Sequence, residues 1–209
     1  MVYRVHRSVR IGAMPAVTIP QLGWIPRPYQ LPVARDLEAC VPNVLVICHR
    51  RFGKTELMLS DLKRRAWKKP ANYMYLMPQT EQVRKTMWND RGKSGQRRLI
   101  EMFGDIMVGP MKEQEMAFEV RTREGGQTSR ILFTGSDNHR SFRGGGAYGW
   151  YLDEWDYCDP QALSTIRPIL VENGGFIRFL TTPRGKNHAY HMMHEFEGMP
   201  GWGVHCLPV

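Results

Sequence analysis

The stretch CHRRFGKT, residues 48–55, ends in the three residues that most often hold nucleotide phosphates. The Lys54 ammonium suits β- and γ-phosphate oxygens, the Thr55 hydroxyl suits Mg²⁺, and Gly53 lets the backbone approach closely. The usual loop, G-x-x-x-x-G-K-[ST], begins with a glycine where this chain has Cys48, and Arg50 and Arg51 crowd its middle. Three readings stand at this point: a working phosphate loop, a degenerate one, or a basic loop that resembles it by chance. Chemistry on a phosphate needs a second half, an acid at the end of another strand. WYLDE, residues 150–154, supplies Asp153 for the metal and Glu154 as a candidate base for the attacking water. The plainer alternative is a solvated acid pair at a strand end.

The elements around these residues decide whether they can meet. NVLVIC (43–48) is a compact apolar run with β-branched residues and reads as a buried strand entering the loop directly. Residues 54–67 carry Leu57, Leu59, Leu62 and Trp67 at helical spacing, so the loop opens a helix whose first amides face an anion. The alternation continues with a strand at 72–78, a helix at 79–90 and a shorter helix at 95–104. EMAFEVRT and SRILFTGS flank the turn-rich REGGQ and read as an antiparallel pair. Beyond them come a strand at 148–154 ending in the two acids, a helix at 160–173, a strand at 175–183, a helix at 186–197 and a last strand near 202–209. Such alternation predicts an α/β fold with a mainly parallel central sheet flanked by helices and a small antiparallel excursion. Residues 1–29, rich in Pro, Arg and aromatics, read as an extended lead-in with a short helix after it at 30–39, and residues 30–209 read as a single domain.

Composition narrows the partners. Lys and Arg outnumber Asp and Glu by 29 to 20, a net charge of +9, which favours a polyanion: nucleic acid first, an anionic membrane surface second. The four cysteines lie far apart, a spacing that suits neither a zinc site nor a disulfide framework and predicts free thiols. No apolar run reaches the roughly 18–20 residues of a membrane span, and the basic N-terminus lacks the apolar core of a signal peptide. A soluble, intracellular protein without a membrane partner is expected. His188, His191 and His194 drift off a common helical face, which favours a partly exposed helix over a metal site. KRRAWKK (63–69) could contact DNA or offset the dipole at a helix C-terminus.

Four stretches carry a resemblance to a known family: RPYQ (27–30), HRRFGKT (49–55), SFRGGGAYGWYLDEWD (141–156) and FLTTPRGKNHAYH (179–191). Over about residues 28–197 the chain resembles the ATPase motor domain of the large terminase subunit of tailed bacteriophages. The resemblance implies a P-loop NTPase of the ASCE type that uses ATP and Mg²⁺ to package viral double-stranded DNA into a procapsid. It implies roles by position: Tyr29 and Gln30 at the adenine; Gly53, Lys54 and Thr55 at the phosphates and metal; Asp153 as metal carboxylate and Glu154 as catalytic base. Arg50 matches an arginine that senses the γ-phosphate within one subunit, and Thr181 and Thr182 match the coupling threonines. Arg143 lies where some members place a finger that reaches a neighbour's ATP, although a backbone-bonded or solvated arginine is the open alternative. Arg51 receives no role, and a solvated or DNA-facing side chain is expected there. The implied partners are double-stranded DNA, the portal protein, the small terminase subunit and further copies of the chain in a ring. The implied location is the cytoplasm of the infected bacterial host, outside the mature virion. No second acidic, two-metal site follows the motor, so no nuclease activity is expected from this chain. A helicase-like ATPase, and a basic DNA-binding module with a dead nucleotide site, are the competing readings.

Overall fold

The computed structural model describes residues 24–93, 95–142 and 146–207. Most of the extended lead-in read from the sequence, residues 1–23, lies outside them. A 3-10 turn, Pro28–Gln30, leads into α1 (Leu31–Glu38), and β1 (Asn43–Cys48) follows. Next come α2 (Lys54–Lys68), β2 (Asn72–Met77), α3 (Thr80–Val83) with a π-helical continuation Arg84–Trp88, and α4 (Arg98–Phe103). Strands β3 (Met107–Lys112), β4 (Ala117–Arg121) and β5 (Thr128–Gly135) precede β6 (Ala147–Leu152). Helix α5 (Ala162–Asn173), β7 (Phe176–Thr181), α6 (His188–Phe196) and β8 (Trp202–Leu207) complete the order.

All eight strands form one sheet in the order β3-β4-β5-β2-β6-β7-β1-β8. From β5 to β8 every pairing is parallel, and β4 runs against both of its neighbours. Parallel strands are covered on both faces, which is why β1 reads as a compact apolar run and all six residues of β7 are buried, Arg178 among them. Alternate residues of β1 serve the two faces: Val44, Val46 and Cys48 pack with α1, α2 and α4, while Leu45 and Ile47 pack with α5 and α6. The ends of β2, β6, β7 and β1 therefore lie side by side, and the loops beyond them share one edge. In open α/β sheets that carboxyl edge is where ligands bind.

Two elements depart from the sequence reading. The helix expected at 79–90 is α-helical only for Thr80–Val83 and then widens into the π turn. A π turn aligns residues five apart, and it brings Val83, Met87 and Trp88 together into the core, with the Trp88 indole N–H bonded to Glu113 Oε2 at 2.8 Å. The strand Met107–Lys112 has no sequence signal, because Gly109 and Pro110 interrupt it. Proline is tolerated at a sheet edge, and the register there breaks between Val108 and Lys112. Among the described residues no helix is long and apolar enough to cross a membrane.

Candidate active site

The loop after β1 turns on two left-handed residues, Arg51 (φ 66°) and Gly53 (φ 84°). Gly53 caps α2, and a Cβ there would lie 2.9 Å from Gln30 Nε2. Lys54, the first residue of α2, folds its ammonium back over the loop. It donates to the carbonyls of Cys48 and His49, both at 2.9 Å, and to Thr182 Oγ1 at 3.1 Å. The phosphate-loop lysine thus touches the residue just past the end of β7.

Beside it, the Thr55 hydroxyl donates to Asp153 Oδ2 at 3.2 Å. Asp153 follows β6 directly and is 4% exposed. Burial pushes its carboxyl above the usual carboxylate range, against the opposing pull of the Tyr75 hydroxyl, the Glu154 amide, Thr55 and the nearby Lys54 charge. Tyr75, on the adjacent strand β2, donates to Oδ2 at 2.6 Å, and the Glu154 amide donates to Oδ1 at 2.9 Å. Glu154 itself is left-handed (φ 53°, ψ 44°) and caps the 3-10 turn Trp155–Tyr157. A non-glycine residue held there is strained by about 1–3 kcal/mol, and such strain gathers at functional positions.

A cleft of about 620 Å³ joins these groups: Arg50, Lys54, Thr55, Asp153, Glu154 and Thr182 all line it. Arg51, which the resemblance leaves without a role, lines it too. Thr181 lies buried beside it, and its hydroxyl donates to Asp156 Oδ1 at 2.6 Å while accepting the Asp156 amide at 3.3 Å. The end of β7 thereby touches the phosphate loop through Thr182 and the acid-bearing turn through Thr181. Tyr29 packs its ring 5.0 Å from that of Phe52, and it remains half exposed. Gln30 is 2% exposed; its amide accepts the Arg27 N–H and donates to the Phe52 carbonyl, both at 2.9 Å, bracing the loop from behind. Arg143 lies outside the described residues.

Several residues in or directly behind the cleft carry no sequence signal of their own. Gln82, on α3, donates to Glu154 Oε2 at 2.5 Å. Tyr75 is one of two tyrosines in a buried strand, and nothing in its spacing singles it out. Arg184 stands in the quoted TTPRGKNH stretch and stacks its guanidinium 4.3 Å from the Tyr157 ring centre. The basic stretch after the loop is largely used internally: Lys63 pairs with Asp105, Arg64 with Glu38 and Asp61, and Arg65 with Asp61. His188 bonds the Trp155 carbonyl at 2.5 Å and sets its ring against that of Trp155, while His191 and His194 pack on Tyr190.

The fold has solved counterparts. The large terminase ATPase domain of Thermus phage P74-26 is similar at 18% identity and a TM-score of 0.66, with 88% of this chain and 81% of that one covered. The large terminase of a second, thermophilic bacteriophage matches at 13% identity and a TM-score of 0.67, covering 85% of this chain and 44% of that one. The same phage protein in complex with ATP-gamma-S matches at 14% identity and a TM-score of 0.65, over 85% and 43%. This chain spans less than half the length of that second protein. At such identities the likeness establishes the fold, a P-loop α/β domain of the ASCE kind. Comparison with curated proteins gives no match. The sequence does match a protein family, described as "Terminase large subunit, T4likevirus-type, N-terminal", over residues 49–197. That span runs from the phosphate loop past both acids and the two threonines and takes in well over half of the chain, which therefore belongs to the family of large terminase subunits.

Proposed function

We propose that this chain is the ATP-hydrolysing motor of a large terminase, driving double-stranded DNA into a viral procapsid. The observation that carries the reading is convergence: a loop lysine and threonine, a buried aspartate, a glutamate and a strand-end threonine meet on one cleft. The Thr55 hydroxyl and Asp153 carboxylate are hard oxygen donors 3.2 Å apart, the chemistry that suits Mg²⁺, and these two residues would hold it. Bound there, the ion supplies charge neutralisation at the phosphate oxygens.

The other residues act directly on nucleotide and water. Lys54 binds the β- and γ-phosphates, and Arg50 adds a second cation at the γ-phosphate. Glu154 accepts a proton from water as the water oxygen bonds to the γ-phosphorus. The bond from that phosphorus to the β–γ bridging oxygen breaks, leaving ADP and inorganic phosphate. Tyr29, half exposed, borders the adenine, Gln30 acts by bracing the phosphate loop behind it, and Thr181 and Thr182 pass the change at the γ-position to β7. Arg143 would reach the ATP of a neighbouring copy in a ring mounted on the portal protein, with the small terminase subunit as a further partner in the host cytoplasm. The net charge of +9 supports a nucleic-acid partner.

The test is hydrolysis and nucleotide binding by the purified chain. Glu154→Ala should lower turnover by about 10² to 10⁴ while sparing nucleotide affinity, as loss of a general base does. Lys54→Ala should lose both. Undiminished turnover in Glu154→Ala would sink the assignment.

A further inference from the structure

The backbone of Glu154 is fixed from both sides. Its amide is tied to Asp153 Oδ1, and its carbonyl accepts the Tyr157 N–H at 2.8 Å. The turn that follows is nailed into the core by Trp155, fully buried, whose ring packs on Phe179 and whose indole N–H meets Met192 Sδ at 3.0 Å. The carboxylate, three rotatable bonds further out, is not fixed by any of this. A general base must be held within a fraction of an ångström of its productive position. Among the described residues, what grips it is the Gln82 amide, which donates to Oε2 at 2.5 Å and leaves Oε1 with its full acceptor capacity.

Gln82 is itself well supported. At the start of α3, the Thr80 hydroxyl and amide both donate to Asp137 Oδ1, at 3.0 and 3.2 Å, and the Gly135 amide donates to Thr80 Oγ1 at 3.2 Å. On its other side, the Gln82 carbonyl accepts the Thr86 hydroxyl at 2.8 Å, and the π turn is held by buried Met87 and Trp88. The amide that meets Glu154 is therefore carried on a short element secured at both ends, arising from the strand beside β6.

We infer that Gln82 is a positioning residue for Glu154, its amide selecting the carboxylate rotamer from which Oε1 takes the proton of the attacking water. The inference rests on the ATP-hydrolysing reading above. It also assigns the π turn a purpose, since burial of Met87 and Trp88 anchors the C-terminal side of the short helix that carries Gln82.

The experiment compares wild type, Gln82→Ala, Gln82→Asn, Glu154→Gln and the Gln82→Ala/Glu154→Gln double variant, all as the full chain. ATP turnover, binding of a fluorescent ATP analogue and melting temperature are measured for each. Gln82→Ala should lower kcat by about 10- to 100-fold, as misplacement of a reacting group by an ångström does, with KM, analogue affinity and melting temperature unchanged. Gln82→Asn, a methylene shorter, should behave as Gln82→Ala. In the Glu154→Gln background the same change should alter residual turnover by less than about 2-fold, because coupled residues are not additive. A Gln82→Ala kcat within about 2-fold of wild type, or an equal loss in both backgrounds, would overturn the inference. Normal wild-type turnover with a silent Gln82→Ala removes this inference alone; no turnover in wild type removes the ATPase reading and this inference with it.

Discussion

Replacing Asp61 by alanine should be among the most damaging single changes outside the cleft. Asp61, on α2, is 2% exposed and accepts the Tyr151 hydroxyl and an Arg64 N–H, each at 2.9 Å, and the Arg65 Nε–H at 3.3 Å. Arg178 Nε stands 3.7 Å from the same carboxylate, and Arg178 is wholly buried. The carboxylate thus joins the helix that carries Lys54 to β6, which leads directly into Asp153, and to β7, which ends at Thr181. Its removal strands a buried guanidinium and a buried phenol. Breaking a buried ion pair in this way costs about 3–5 kcal/mol, and for a chain of this size each kcal/mol lowers the melting temperature by about 2–4 °C. A loss on the order of 10 °C is expected, read by circular dichroism on heating and by urea titration. Arg178→Met should cost much less, about 1–2 kcal/mol, because Asp61 keeps Arg64, Arg65 and Tyr151 and a poorly satisfied cation is removed. The sensitive observable is the asymmetry between the two variants. If Asp61→Ala melts within about 2 °C of wild type, or Arg178→Met is equally damaging, the hub reasoning is wrong.

Two further outcomes follow from the site. Gly53→Ala forces an L-residue into a left-handed position at about 1–2 kcal/mol and drives its Cβ to 2.9 Å from Gln30 Nε2. Nucleotide affinity should fall about 5- to 30-fold in a fluorescence titration, and unchanged affinity would show that the loop does not need that geometry. Tyr75→Phe keeps the ring stacked on Phe133 and Tyr151 but removes the 2.6 Å donor to Asp153. Stability should drop by about 1.5–3 kcal/mol, the worth of a hydrogen bond to a charged group, and equal melting curves would refute the view that this hydroxyl sustains the buried carboxylate.

Much of the scaffold is legible because its signals are local. The apolar run Asn43–Cys48, the Gly-Lys-Thr that follows and the strand before Asp153 each declare themselves within a few residues. What the chain does not declare locally is pairing at a distance. Gln82 and Glu154 are 72 positions apart, and Asp61 and Tyr151 are 90 apart; neither pair has a spacing that a pattern could detect. The basic run 63–69 suits DNA and a helix dipole equally well by composition, and the partners of Lys63, Arg64 and Arg65 give it a third use that composition cannot suggest. The π turn is hidden for the same reason. Its cause is the burial of Trp88 against Phe118 and Phe133, contributed by strands that follow much later in the chain.

An ammonium has three N–H bonds, and the three of Lys54 meet three acceptors: the carbonyls of Cys48 and His49 and the hydroxyl of Thr182. The lysine is saturated. A phosphate oxygen can enter its shell only by expelling one of these, and the two carbonyls belong to the same loop as the lysine. The contact to Thr182 crosses to another strand and is the longest of the three. In the proposed reading, exchange at a single nitrogen would free the Thr182 hydroxyl when phosphate arrives and recapture it when phosphate leaves, a one-for-one substitution made just past the end of β7 while that strand stays paired with β1 and β6.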